Sequence, residues 1–321
     1  MTDTVGEFQF MAPEATATLR RNGRVLMERR ENGDTGAVRG VELAPHTLPV
    51  HDARQLTTAD VRTCEHNGFE LVDAPVHGPI DFLAHDDVVH AYYPQCAALV
   101  ERVAGGQAFA FDHNVRSASG QQGGQRIAGG QNVQGPAHVV HGDYTLTSAP
   151  ERLGQLAQPP GVNDTLRGSL PEDASLISPA LAAKALAGAR RYAIINVWRS
   201  FADTPVQRHP MALCDAQTVS PADLVVFEIH YADRVGENYF AKYDPRQQFF
   251  YYPHMTRDEA LLIKQWDSQG ALAQSNGAQA DATAPAAPCT FSFHSAFHAP
   301  DTPDDAPDRW SIEVRCLVLY D

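Results

Sequence analysis

The sequence predicts a mainly β chain with flanking helices, folded as a jelly roll. Three observations carry this expectation. The C-terminal two thirds hold many short apolar or alternating runs separated by turn residues, the pattern of sandwiches and barrels. Helical spacing is confined to short stretches. The chain has no internal repeat and no run approaching the ~20 apolar residues of a membrane helix.

Taken in order, residues 1–60 mix apolar runs with turn residues at Asn32-Gly33-Asp34, Pro45 and Pro49, which suits irregular strands. The apolar positions of 81–104, from Phe82 to Val103, fit a helix that Pro94 breaks or kinks. A strand follows at 108–116. Residues 117–136 are rich in Gly, Gln and Ser and predict a mobile loop, placed where a lid would be useful. That loop contains neither GxxxxGK[ST] nor GxGxxG, so phosphate cradling is not supported. A helix at 173–191 ends on Arg190 and Arg191, as the helix dipole favours. Strands are expected at 192–198, 223–230, 238–243 and 248–252, then a short helix at 257–266. The Ala-, Gln-, Gly- and Pro-rich stretch 269–288 reads as a solvated insertion that shapes substrate access. Two last strands are placed at 290–297 and 309–320. Residues 1–107 are expected to pack as strands and a helix on a core of 108–321, within one integrated domain.

The 321 residues suffice for a sizeable core, and 43% hydrophobic content is ordinary for a globular protein. A formal net charge of −14 disfavours nucleic acid and anionic membrane as partners. The five cysteines lack CxxC spacing and read as reduced thiols of a cytoplasmic protein. Met1 to Met11 includes acidic residues and no long apolar run, so no signal peptide is expected.

The chemistry sits in three places. In Val139-Val140-His141-Gly142-Asp143-Tyr144, an extended backbone points His141 and Asp143 to one side. A second His from a distant strand would complete two imidazoles and a carboxylate, the set that suits non-heme Fe(II) with open positions. His294 is the leading candidate, because Thr290, Ser292 and His294 share the polar side of a strand whose back is Phe291 and Phe293. His230, at a strand end, is its main competitor. His209 precedes a proline in a loop, and His254 and His298 read as exposed. His85-Asp86-Asp87 also matches HxD but lies in the helical stretch, where its two ends diverge. On the last strand, Arg309, Ser311, Glu313 and Arg315 share one face and Trp310, Ile312, Val314, Cys316 and Val318 the other. That polar face is either a solvated edge or a cosubstrate pocket in which an arginine grips a carboxylate.

These stretches together resemble the CmcJ-type oxygenase family, which includes the cephalosporin methoxylation component and gibberellin desaturase-like fungal enzymes. The resemblance covers roughly residues 50–320. Besides the motifs above it rests on Phe111-Asp112-His113-Asn114-Val115-Arg116, Asn196-Val197-Trp198-Arg199, Leu213-Cys214-Asp215-Ala216, Tyr251-Tyr252-Pro253 and Ile263-Lys264-Gln265-Trp266-Asp267-Ser268. It departs from the family at Ser295 and Trp266, where Thr and Tyr are usual. The resemblance implies a double-stranded β-helix that uses Fe(II) and 2-oxoglutarate. It implies His141, Asp143 and His294 as iron ligands, and Arg309 with Ser311 as the cosubstrate anchor. Arg315 also lies in the final motif, so the choice between the arginines stays open. Asn196 is expected to touch the cosubstrate or a ligand. Arg199 reads equally as a structural ion-pair partner, and His113 as a satisfied buried histidine.

The expected activity is oxidation of a small natural-product intermediate by O2, with hydroxylation, desaturation or cyclisation as outcomes and a homo-oligomer allowed. The rivals are an oxygenase that uses the metal without 2-oxoglutarate, and a non-catalytic partner subunit.

Overall fold

Short apolar runs become strands throughout the computed structural model, which describes residues 4–30 and 35–321. The Asn32-Gly33-Asp34 turn lies outside the described residues. The N-terminal part supplies β1 (Thr4–Met11), β2 (Leu26–Arg29), β3 (Thr35–Arg39), β4 (Leu43–Asp52) and β5 (Phe69–Asp73). Helices α1 (His85–Asp87) and α2 (Tyr93–Ala104) follow, then β6 (Gln107–Arg116), α3 (Ala118–Gln122), β7 (His141–Gly142), α4 (Ser148–Leu156) and α5 (Pro179–Leu186). The rest is β8 (Tyr192–Ser200), β9 (Met211–Cys214), β10 (Leu224–His230), β11 (Val235–Ala241), β12 (Phe249–Tyr251), β13 (Glu259–Asp267), α6 (Ala271–Gln274), β14 (His294–Ala296) and β15 (Ser311–Leu319).

These strands form two sheets. The larger runs β1-β4-β12-β9-β14-β7-β11-β10-β2-β3, and the smaller β5-β13-β8-β15-β6. Side chains of the smaller sheet reach the larger: Asn196 of β8 and Arg315 of β15 both bond Asp143, just past β7. Apolar residues of both sheets, among them Ile195, Val314, Phe249 and Tyr239, share one core. Helix α2 lies on β6, β8 and β15, with Cys96, Leu99 and Val100 buried beneath it.

Several expectations change. Residues 257–266 are not a helix but most of β13, which is buried along almost its whole length between β5 and β8. A continuous apolar run with both faces covered has no periodicity to tell strand from helix. Pro94 does not break its helix. It sits in the first turn of α2, where its missing N–H costs nothing, and a π-helical turn at Val88–Tyr92 joins α1 to α2. The predicted 173–191 helix shortens to α5, which starts at Pro179 under a Ser178 cap.

Residues 117–136 are not a structureless loop. They hold α3 and a small hairpin tied by Ile127 N–H to Gln131 O and Val133 N–H to Gln125 O. Gly120 is needed there for closeness: a Cβ would lie 2.6 Å from the Trp310 ring. The 269–288 stretch is likewise anchored, with Leu272 and Asp281 buried and Asp281 accepting from Thr290 N–H and Oγ1. None of its residues lines the cavity described below. Finally, β15 is no solvated edge: it lies between β6 and β8 and is buried at eight of its nine positions.

Candidate metal centre and cavity

Register alone places two imidazoles together. β14 inserts between β9 and β7 so that His294 faces His141 directly across the ladder, and the ring centroids lie 4.4 Å apart. Asp143 follows on the same side, its Oδ1 3.7 Å from His141 Nε2. One ligand atom from each of His141, Asp143 and His294 lies within 4.8 Å of the others. His230, the competitor, ends β10 bonded to Glu228 at 2.9 Å and is not in this group.

The three groups are held in the states a metal needs. His141 Nδ1 lies 2.8 Å from the Val139 carbonyl, so that nitrogen carries the proton and Nε2 presents its lone pair beside Asp143. Burial and the neighbouring His294 push the His141 imidazole down to about 4, so it is neutral at pH 7. Burial also lowers His294. Burial by itself would raise the Asp143 carboxyl, but Arg315 and the two imidazoles outweigh it and keep it ionised. Asp143 Oδ2 accepts from Asn196 Nδ2 at 2.9 Å and Arg315 Nε at 3.1 Å, which leaves Oδ1 toward His141.

Gln265 is a contributor the sequence reading missed. Its Oε1 accepts the Asp143 backbone N–H at 2.9 Å, and its Nε2 lies 3.4 Å from His294 Nδ1. That amide thus holds the Asp143 backbone and packs its nitrogen beside the His294 ring. It can do so because the β13–β8 register shifts between Lys264 and Trp266, and this bulge turns Gln265 inward. In the sequence it stood only within the Ile263–Ser268 stretch of the resemblance, with no role given, because 257–266 read as a helix.

The two arginines behave differently: Arg315 lies on β15, whereas Arg309 precedes it, since the strand begins at Ser311 and not at the expected 309. Arg315 is saturated: besides Asp143 it bonds Asp112 at 2.9 Å and Glu313 at 3.3 Å. Arg309 is 2% exposed, lies over the Trp198 ring and gives one Nη1 bond to the His209 carbonyl; its Nε and Nη2 are buried without a partner. Ser311 is buried with its hydroxyl 3.5 Å from the Arg116 carbonyl. His113 bonds the Tyr93 hydroxyl at 2.8 Å, a satisfied buried histidine. Arg199 bonds Tyr92 and the Ala74 and Arg257 carbonyls, a structural role.

A second group, His138, His209 and His298, also brings ring nitrogens within 4.8 Å. Its His138 and His298 rings stack at 4.3 Å and 5°. An imidazole lone pair lies in the ring plane, so parallel rings do not aim at one ion. Buried, unpartnered Nδ1 atoms on His138 and His209 are nevertheless close enough to Arg309 to feel its charge.

A cavity of about 500 Å³ opens onto His141, Asp143 and Arg315. His294, Asn196, Arg309 and Ser311 are not in its wall. Gly142 sits between two of the candidate ligands, and a Cβ there would lie 2.8 Å from the Phe291 ring. Gly142→Ala is therefore expected to cost about 1–3 kcal/mol by overpacking and to weaken Fe(II) binding. Denaturant melts and an anaerobic metal titration check the two effects.

Among described residues no helix is long and apolar enough to cross a membrane. A protein of Methylophilus leisingeri, described as an uncharacterized protein in the dcmA 3′ region, is 37% identical over 196 residues, spanning 60% of this chain and 89% of that protein. The Fe(II)/2-oxoglutarate-dependent dioxygenase nvfI of Aspergillus novofumigatus is 29% identical over 285 residues, covering 86% of this chain and 84% of that one. Other homologues are hydroxylase/desaturases of fungi. A solved structure of the iron and alpha-ketoglutarate-dependent endoperoxidase NvfI matches with a TM-score of 0.68 at 23% identity, over 99% of this chain and 98% of that one, and so shares its fold. A family model described as an oxidoreductase/YMDC permease-like domain matches residues 8–319, and the chain belongs to that family.

Proposed function

We propose that this chain is an Fe(II)- and 2-oxoglutarate-dependent oxygenase acting with O2 on a small molecule, in line with relatives named as an Fe(II)/2-oxoglutarate-dependent dioxygenase and as hydroxylase/desaturases. One observation carries the reading: two neutral imidazoles and an ionised carboxylate, brought from distant parts of the chain, converge beside a cavity. Two nitrogens and one oxygen on one side leave the open positions that suit non-heme iron. His141, Asp143 and His294 would be the ligands, with Asn196, Arg315 and Gln265 fixing their orientation.

For the cosubstrate we assign Arg309. A buried guanidinium with two unpartnered nitrogens is costly unless an anion takes them, and a carboxylate matches their fork. His138 and His209 offer further ring nitrogens nearby, and Ser311, two residues along the chain, a hydroxyl. Arg315 has its donors committed already, and Asn196 uses its amide nitrogen on Asp143. When bound, iron and 2-oxoglutarate supply oxidation by O2 coupled to decarboxylation of the keto acid. The chain's part is to hold both in register and to present substrate from the cavity.

The sheet order β12-β9-β14-β7 opposite β13-β8-β15-β6 supports a double-stranded β-helix as the core, within 108–321. Residues 1–107 extend it, since β1 and β4 continue one sheet and β5 the other. Five free, buried cysteines suit the reducing cytoplasm.

Succinate released from 2-oxoglutarate in air, dependent on Fe(II) and stimulated by a substrate, tests the activity; no Fe(II)-dependent succinate would end the reading. Arg309→Ala is expected to weaken 2-oxoglutarate binding by about 10–100-fold while leaving Fe(II) affinity unchanged. Calorimetry on the metal-loaded protein measures this, and an unchanged Kd would move the anchor away from Arg309.

A further inference from the structure

The cavity wall has a charge that the chain as a whole does not. Against a net charge of −14, the wall carries eight arginines and five carboxylates. The arginines come from separate segments: Arg126 from the 117–136 hairpin, Arg152 from α4, Arg167 from the loop after α4, Arg234 from the β10–β11 turn.

The wall's carboxylates are already engaged. Asp112 and Asp143 pair with Arg315, and Asp164 with Arg152 and Arg234. Glu151 and Glu237 both pair with Arg21, a further cation from outside the wall. Arg126 and Arg167 are exposed and have no ion-pair partner among the described residues. Arg116, deeper in the cavity, gives Nη1 to the Gly135 carbonyl. The unmatched charge of the wall is therefore positive.

The remaining lining is amide-rich, including Asn114, Gln131, Gln134, Asn163 and Asn238. Its aromatics are Tyr144 and Tyr231, with no Phe or Trp. Most small-molecule pockets are largely apolar with a few placed polar groups. A hydrocarbon in this cavity would strip water from amides and guanidinium groups without replacing their hydrogen bonds. An acidic, hydrogen-bonding molecule would satisfy them, and the field of unpaired arginines in a recess would draw it in.

We propose that the molecule oxidised here is a polar anion bearing a carboxylate or phosphate group, and that Arg126 and Arg167 at the cavity rim bind that group. This rests on reading the cavity as the substrate site of the proposed oxygenase. The cosubstrate, itself an anion, is accounted for by Arg309 outside the wall, which leaves the rim arginines for substrate. Guanidinium forks bind carboxylate and phosphate in two-point fashion.

The test is calorimetry on anaerobic, Fe(II)-loaded protein saturated with 2-oxoglutarate, titrated with phenyl phosphate, phenylacetate and neutral phenylacetamide. At least one anion should bind, more weakly as salt is raised, and the amide should not. The tighter of the two anions identifies the group. The Arg126→Ala/Arg167→Ala double variant should lose about 10-fold or more of that affinity while its 2-oxoglutarate Kd stays unchanged. Binding of neither anion, equal binding of the amide, or full affinity in the double variant would overturn the proposal. Failure of 2-oxoglutarate to bind the loaded wild type would instead strike the oxygenase reading, and the anion titrations would still report on the rim.

Discussion

Replacing His294 by alanine is expected to weaken Fe(II) binding by about 100-fold or more, and to end turnover, while the protein stays folded. Losing an outer hydrogen-bond partner of a metal ligand costs ~10–100-fold in metal affinity, and a directly coordinating imidazole carries more. The position is specific. His294 is 3% exposed, faces His141 across the ladder, and joins His141 and Asp143 in one group of close ligand atoms. Its flanks are fixed independently, by backbone pairing to Ala212 and by the Ala296 N–H bond to the Ala137 carbonyl. His230→Ala is the control. Its ring answers Glu228 on another part of the sheet, so Fe(II) affinity should not change. Anaerobic titration of each variant, with thermal melts alongside, separates loss of the metal from loss of the fold.

Arg315→Met should have the largest effect on stability, about 3–5 kcal/mol, because removing one partner of a buried ionic network strands the others. Arg315 is the cation shared by Asp143, Asp112 and Glu313. Burial already raises the Glu313 carboxyl, and Asp143 adds to the rise. Without Arg315, three carboxylates would crowd one buried space.

The effect has a defined pH dependence. Although burial opposes it, Arg315 leads the interactions that hold Asp112 and Asp143 below the usual carboxylate range. A depressed folded pKa contributes stability above the unfolded value of about 4, and that contribution is lost as pH falls through the folded pKa. The variant lacks it, so the gap between wild type and Arg315→Met should be full near neutrality and narrow in acid. Urea melts across pH measure the gap, and one that widened in acid would contradict the assignment. Fe(II) affinity should also fall, by about 10–100-fold, because Asp143 loses an orienting bond.

The convergence of the three proposed ligands was legible because their spacing is local. His141 and Asp143 are two apart on extended chain, and His294 lies on the polar side of an alternating segment, so residue type and spacing carried the information. The arginine choice was not legible. Arg309 and Arg315 share a strand face in sequence, and the proposed choice rests on their partners in space, three acids for Arg315 and two orphaned nitrogens for Arg309. Gln265 was hidden for a different reason. Its strand is buried on both sides, so its apolar run lacks a period, and the residue acts only because a bulge re-aims it. In 117–136, glycine content suggested mobility, whereas Gly120 serves close packing against Trp310. The buried Tyr92–Arg199 pair was likewise invisible, since the two meet across 107 positions of chain.

The two sheets divide the work of the proposed site. The larger brings His141 and His294 together by pairing β7 with β14. The smaller supplies the groups that hold Asp143, from β8 and β15. The site should therefore be sensitive to how the sheets seat on each other, and less so to the outer strands β2 and β3.

The central claim is that ferrous iron on His141, Asp143 and His294 and an acid on Arg309 form one site. Anaerobic calorimetry of 2-oxoglutarate binding, with and without Fe(II), tests it most directly. The account predicts tight binding to the Fe(II)-loaded wild type and much weaker binding to the metal-free protein and to the His294→Ala variant. Equal 2-oxoglutarate affinity in all three would contradict it.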